Sequence, residues 1–186
     1  MTANEVFGET DSRMTKSVEA LTRDLNSIRT GRATPGLVEN LMIDYYGVPT
    51  PLNQLSSISV PEARVLLIQP WDKEALKDVE KGILKSDLGL VPNNNGSAIR
   101  VNIPIPTEER RRELVRIVGR AVQDALVAVR NIRRDSLERL RKLEKDKELS
   151  RDESKRAQDR LQQLTDSFAE RLDTLRGEKE AEVMEV

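Results

Sequence analysis

The sequence predicts an α+β protein, a long three-helix bundle with a small β/α/β domain inserted after its first helix. Aliphatic seams with steps of three and four residues occupy both ends of the chain, and short β-branched runs bounded by turn residues fill the middle. Composition agrees, since 34% of residues are charged, 37% hydrophobic and only 3% aromatic, the balance expected of charged helices with aliphatic seams. The expected boundaries are 1–30 and 106–186 for the bundle and 31–105 for the inserted domain, with connectors at 29–32 and 103–106.

The first helix is expected from about Thr10 to Thr30, because Met14, Val18, Leu21, Leu25 and Ile28 form a heptad seam. Gly31 and Pro35-Gly36 should end it, glycine by taking a left-handed cap and proline by breaking the hydrogen-bond ladder. From Gly36 to Pro106 the period changes. Leu37-Val38 through Ile43-Asp44-Tyr45-Tyr46, Ile58-Ser59-Val60, Arg64 to Ile68 and Ala98 to Ile103 read as strands. Lys73 to Lys85, with Leu76, Val79 and Ile83 on one face, reads as a helix, and Asn93-Asn94-Asn95-Gly96 as a turn. Trp71 and the two tyrosines are expected to pack the core or line the sheet, with a base-stacking surface as the alternative.

The heptad returns at Thr107, a good N-cap followed by Glu108 and Glu109 at the positive end of the helix dipole. Val115, Val118, Val122, Ala125, Val129 and Ile132 continue the seam, followed by Leu137, Leu140 and Leu143, so a helix of about 40 residues would run roughly 60 Å. Ser150-Arg151-Asp152-Glu153 is a capping box that opens the last helix, whose seam is Ala157, Leu161, Leu164, Phe168, Leu172 and Leu175. Fraying is expected beyond Gly177.

Composition also excludes. With no Cys and no His, thiolate or imidazole metal sites and Ser-His-Asp or Cys-His catalysis are unavailable. No phosphate-cradling glycine loop occurs, since Gly89 to Gly96 lacks the following Lys-Ser/Thr. A catalytic reading would need Asp, Glu, Lys or Tyr alone, with paired acids near Glu39 and Asp44 at the domain junction as the place for it. No catalytic residue, metal or cofactor is expected. No apolar run is long enough to span a bilayer, and the segment from Met1 to Asp11 is polar and acidic, so a soluble, unexported protein is expected.

Charge is distributed unevenly. The formal net charge is -1, yet residues 110–134 carry 8 basic and 2 acidic side chains. Arg130, Arg133 and Arg134 occupy neighbouring positions of the long helix, and neither Arg130 nor Arg133 has an acid three or four residues away. Such a stripe can hold a polyanion, and a solvated, ion-paired helix face is the other reading. The connectors are equally open to two readings. Gly31 can absorb a large backbone change while Pro104 and Pro106 restrict the return strand, which suits a hinge, and a fixed junction fits the same residues.

Several motifs carry a family resemblance. Arg29-Thr30-Gly31-Arg32-Ala33, Tyr45-Tyr46-Gly47 leading into Pro49-Thr50-Pro51-Leu52, Ser86-Asp87-Leu88-Gly89-Leu90, Gly96-Ser97 with Ile99-Arg100-Val101, Thr107-Glu108-Glu109-Arg110-Arg111 and Val129 to Asp135 follow one another in family order. Across almost its whole length the sequence resembles the ribosome recycling factor family. It departs from that pattern at Pro104-Ile105-Pro106, where the family commonly has Pro-Pro-Leu, which bears on the stiffness of the connector.

The resemblance implies an L-shaped molecule of roughly transfer-RNA outline, monomeric and cytoplasmic. It implies a factor that binds the post-termination ribosome between its subunits, with the bundle on large-subunit ribosomal RNA. Elongation factor G, by hydrolysing GTP, then drives the subunits apart, and the factor itself is not an enzyme. By position, Arg133 matches the family's essential RNA-contacting arginine, Arg130 a neighbouring contact, and Arg29 and Arg32 basic residues near the hinge that face RNA. Arg134, with Glu138 one turn on, is the member of the cluster expected to be more structural. The hinge is expected at Thr30, Gly31, Pro104, Ile105 and Pro106.

Overall fold

The computed structural model describes residues 1–185. In chain order its elements are α1 (Ala3–Asn26), β1 (Met42–Tyr45), β2 (Val48–Pro51), α2 (Leu52–Leu55), β3 (Ser56–Glu62), β4 (Val65–Pro70), α3 (Leu76–Lys85), β5 (Pro92–Asn94), β6 (Ile99–Asn102), α4 (Glu108–Lys145) and α5 (Arg151–Met184). The chain divides into two compact units, Met1–Thr30 with Thr107–Val186, and Gly31–Pro106.

The first unit is a bundle in which α1, α4 and α5 each pack against the other two. Helix α1 starts well before Thr10, because Thr2 and Glu5 form a capping box: Thr2 Oγ1 accepts from the Glu5 amide at 3.2 Å and Glu5 Oε2 from the Thr2 amide at 2.7 Å. It ends at Asn26 with Ser27 as C-cap, short of Gly31. The seam of α4 runs through Leu114, Val118, Val122, Ala125, Val129, Ile132, Ser136, Leu140 and Leu143, which is eight steps in 29 residues. That is about 3.6 residues per step, the pitch of a straight helix, and the drift away from 3.5 explains why Leu114 and Ser136 are buried where the heptad pointed to Val115 and Leu137.

A polar layer divides the bundle core. On one side Met14, Leu21, Val122, Val129, Phe168 and Leu172 pack together, and on the other Val6, Phe7, Leu140, Ala157 and Leu161. Between them the buried hydroxyls of Thr10 and Ser136 meet at 2.6 Å. Thr10 Oγ1 donates its only proton to the Val6 carbonyl, also at 2.6 Å, so Ser136 donates to Thr10. Helix α5 continues through Gly177 to Met184 without fraying, because Val183 and Lys179 are buried at its far end.

The turn from α4 to α5 closes on Lys147, at φ +59°, with the Glu148 amide bonded to the Leu143 carbonyl at 2.9 Å and the Lys147 amide to Glu144 at 3.0 Å. This is a Schellman ending with lysine in the position that usually takes glycine.

The second unit is antiparallel throughout. A hairpin of β1 and β2 accompanies a four-stranded sheet in the order β3-β4-β6-β5. Strand β2 was not expected from a segment containing Pro49 and Pro51; it is tolerated because β2 pairs only with β1 and leaves its other edge open. Its two-residue turn, Tyr46-Gly47, has both φ values positive, +50° and +79°, the geometry that matches the twist of a tight hairpin. Two other expectations are corrected, and one element is new. Pro35–Leu37 is a 3-10 turn, so Leu37-Val38 is not strand. Residues Leu52–Leu55 form a single helical turn. Asn93 and Asn94 lie in β5, while the reversal itself is made by Asn95 and Gly96, with Asn95 Oδ1 accepting from the amides of Ser97 and Ala98.

The core of this unit gathers Val38, Ile43, Leu52, Leu66, Ile68, Val79, Ile83, Ile99 and Val101. Helix α3 approaches β1 so closely that a Cβ on Gly82 would lie 2.4 Å from Ile43 Cδ1. The aromatic residues do not join this core as expected. Trp71 is 69% exposed and Tyr46 70%, and only Tyr45 packs partly against it. The phenols are instead tied to carboxylates, Tyr45 to Asp72 at 3.0 Å and Tyr46 to Glu74 at 2.9 Å, with the two rings edge to face at 4.5 Å. Tyr46 is pushed up to about 12 by its hydrogen bond to Glu74, with the charges of Glu74 and Asp72 adding to it. Three carboxylates around the pair, Asp72, Glu74 and Asp78, also make this surface a poor base-stacking platform beside phosphate.

Candidate nucleic-acid interface

The basic segment of α4 separates into two kinds of surface. In the first turns, Thr107 Oγ1 caps the helix by accepting from the Arg110 amide at 3.2 Å. Arg110 there pairs with Glu113 at 2.7 Å and Arg112 with Glu108 at 2.6 Å. These are exposed in-helix pairs worth about 0.2–1 kcal/mol each, and for them the solvated-face reading holds.

Farther along, the compensation stops. Arg130 and Arg134 are exposed and have no hydrogen-bond or ion-pair partner among the described residues. Arg133, half-buried on the flank facing α5, donates from Nη1 to Gln162 Oε1 at 3.2 Å, and Gln162 Nε2 donates to Asp166 at 2.8 Å. The relay orients the guanidinium without neutralising it, since its direct partner is an amide. The acids nearest the cluster are engaged elsewhere or stand apart. Asp135 pairs with Arg13 of α1 at 3.0 Å, Glu9 of α1 holds Arg139, and Arg134 makes no ion pair with Glu138. The helix therefore presents three charged forks whose remaining N–H groups face water, the geometry that receives phosphate oxygens in pairs.

The other expected residues are dispersed. Arg29 is exposed, just beyond the end of α1 in the bundle unit, and Arg32 is exposed in the inserted unit. Thr30 is tied to the bundle by its side chain. It is 8% exposed and donates from Oγ1 to Glu182 Oε1 at 3.0 Å, and Glu182 is itself paired with the buried Lys179 at 3.2 Å. Gly31 follows at φ +83°, and a Cβ there would lie 2.6 Å from Pro106 Cδ and 3.5 Å from the Pro104 carbonyl. The outgoing and returning connectors thus touch at Gly31 and Pro106, while Ile105 stays exposed. Gln162 and Glu182 were missed in the sequence. Only the Lys179–Glu182 spacing of i,i+3 was visible there, and its attachment to Thr30 spans 152 residues.

Among the described residues no group of His, Cys, Asp or Glu is disposed to hold a metal ion, and no helix is long and apolar enough to cross a membrane. An uncompensated guanidinium face on a bundle helix has the chemistry of an anion-binding surface. Comparison with known proteins then identifies the family. The model of the family described as ribosome recycling factor matches residues 21–184, and the chain belongs to that family. It is 56% identical to the ribosome-recycling factor of Geobacillus kaustophilus over 99% of this chain and 100% of that one. To that of Dehalococcoides mccartyi it is 48% identical over 98% and 99%.

Among solved structures it resembles a solution structure of the ribosome recycling factor, with 41% identity, a TM-score of 0.73 and coverage of 100% and 99%. It also resembles the T. thermophilus ribosome recycling factor described with E. coli elongation factor G bound to the E. coli post-termination complex. There the identity is 48%, the TM-score 0.65 and both chains are fully covered. Members of the family are translation factors and not enzymes.

Proposed function

We propose that this chain binds the post-termination ribosome and, with elongation factor G and GTP, promotes separation of the subunits. In this reading it acts as a cytoplasmic monomer whose bundle anchors on large-subunit ribosomal RNA. The observation that carries the reading is the uncompensated set Arg130, Arg133 and Arg134 on α4, in a chain related to a factor described with elongation factor G on that complex. Phosphate contacts of this kind position a protein and carry little sequence information, so the shape of the binding cleft supplies specificity. Arg29 in the bundle and Arg32 in the inserted unit are further candidate RNA contacts in this reading.

The connectors give the anchor a mechanical role. Thr30 is held to the bundle by Glu182, so the pivot is Gly31 against Pro104 to Pro106, about which the inserted unit turns when the translocase pushes. Co-sedimentation with ribosomes tests the anchor. Arg133→Ala is expected to weaken binding about tenfold or more, the loss of charge-assisted hydrogen bonds, and Arg133→Lys to recover only part of it. Unchanged binding across a salt series removes Arg133 from the interface. A disulfide engineered across the connectors, in a chain with no cysteine of its own, is expected to spare binding and block subunit separation. Normal recycling by the locked protein ends the pivot model.

A further inference from the structure

The arginines of α4 repeat. Arg116 and Arg120 are spaced i,i+4, as are Arg130 and Arg134 fourteen residues farther on, which is about four turns or roughly 21 Å along the same outward face. Like their counterparts, Arg116 and Arg120 are exposed and have no acid within ion-pair distance among the described residues. Unlike the other pair, they border a groove of about 480 Å³, lined by Arg116, Gly119, Arg120, Gln123, Asp124 and Arg176.

Three details give this groove the character of an anion site. Arg176 comes from α5 and is held by its Nε, which donates to Glu180 Oε1 at 2.9 Å. That bond leaves its terminal nitrogens available, and Nη2 lies 4.0 Å from where a Cβ on Gly119 would be, so Gly119 sits directly beside the guanidinium. Among the described residues Asp124 is the only acid lining the groove, and no ion pair within it joins Asp124 to an arginine. Glu180 and Asp173 offset part of the charge on the α5 side, which limits the groove to a local contact and not a broad basic field.

We propose that the groove at Arg116, Gly119, Arg120 and Arg176 is a second phosphate-binding station, taking a backbone phosphate of RNA about 20 Å along α4 from the Arg130–Arg134 cluster. The inference rests on the RNA reading above and extends it. An RNA backbone is the occupant that the arrangement favours: two sets of fork-shaped donors stand about 20 Å apart along one helix, which suits a polymer that carries many phosphates.

The test uses the intact protein and purified large ribosomal subunits, with affinity measured across a salt series. Three variants are compared, Arg116→Ala/Arg120→Ala/Arg176→Ala, Gly119→Glu and Arg133→Ala, and helical circular dichroism checks that each is folded. The triple variant is expected to bind about tenfold or more weakly and to lower the slope of log affinity against log salt by about 0.7–0.9 for each phosphate it no longer neutralises. Gly119→Glu, which places a carboxylate in the groove and leaves all three arginines present, is expected to give the same direction of change. If the triple variant and Gly119→Glu bind normally while Arg133→Ala is impaired, the second station is overturned and the anchor stands. If all three bind normally, both readings fall. A loss confined to binding of elongation factor G, with subunit affinity intact, assigns the groove to a protein partner and overturns the proposal.

Discussion

The bundle and the inserted unit bury apolar residues by different rules. In the bundle each helix commits one stripe, and the side chain at any position follows from its angle around the axis, so Val118, Val129, Leu161 and Leu172 are buried where the spacing placed them. In the inserted unit strands of three to seven residues pair mostly through short reversals, with β4 and β6 meeting from farther apart, and burial depends on which edge and face are covered. Trp71 and Tyr46 stay exposed there, although composition alone would hide them. The polar surfaces differ in the same way. The bundle presents guanidiniums to solvent, whereas the inserted unit presents aromatic rings clamped by carboxylates. Periodic elements are thus transparent to sequence reasoning, and surfaces made by chain reversals are not.

The largest expected effect that sharpens this contrast is in the bundle. Phe168→Ala removes a fully buried ring from the α1–α4–α5 core and is expected to cost about 3–5 kcal/mol. Helical circular dichroism follows the bundle, while the only tryptophan, Trp71, reports the inserted unit. The helical transition should move to lower temperature and the tryptophan transition stay. Equal shifts in both signals would show that the two units unfold as one and break the comparison.

The next effect lies in the inserted unit. Gly82→Ala gains about 1 kcal/mol of helix propensity but forces a methyl group against Ile43, an overpacking cost of about 1–3 kcal/mol. Net destabilisation of about 1 kcal/mol is expected in the Trp71 signal. Adding Ile43→Val removes the Cδ1 atom that clashes, so the pair should recover stability relative to Gly82→Ala alone. A double variant no better than the single would place the cost elsewhere.

The smallest effect concerns protons. Tyr46 should ionise near 12 and not near its ordinary value of about 10, which a tyrosinate absorbance titration reads directly, and Glu74→Gln should bring it back toward 10. Because the folded value is raised, the contribution to stability is fully present below about pH 10 and is lost as pH rises through about 12. An ordinary titration in the intact protein would mean that Glu74 does not hold the phenol in solution.

The candidate interface was legible in the sequence to different depths. That Arg130 and Arg133 lack in-helix acids is arithmetic on spacing, and the structure agrees. That Asp135 is engaged by Arg13, and Arg133 by Gln162, could not be read, because those partners lie 122 and 29 residues away and meet only through packing. The expected Arg134–Glu138 pair, correctly spaced, is not made. An exposed i,i+4 pair gains too little for its presence to be inferred from spacing.

By itself the sequence determined the class of fold, the return of the helical seam after residue 106, the capping box at Ser150 and the concentration of arginine on α4. These are local properties, set by the helical repeat and by side chains within four residues of one another. Tertiary structure alone decided that the seam passes through Ser136 to meet Thr10, that β2 forms despite two prolines, and that Thr30 is tied to Glu182 while Gly31 packs on Pro106. The first and last of these join residues far apart in the chain, and the hairpin of β1 and β2 needs an edge that the rest of the unit leaves open. Their pairing depends on how whole elements pack, which no local pattern encodes.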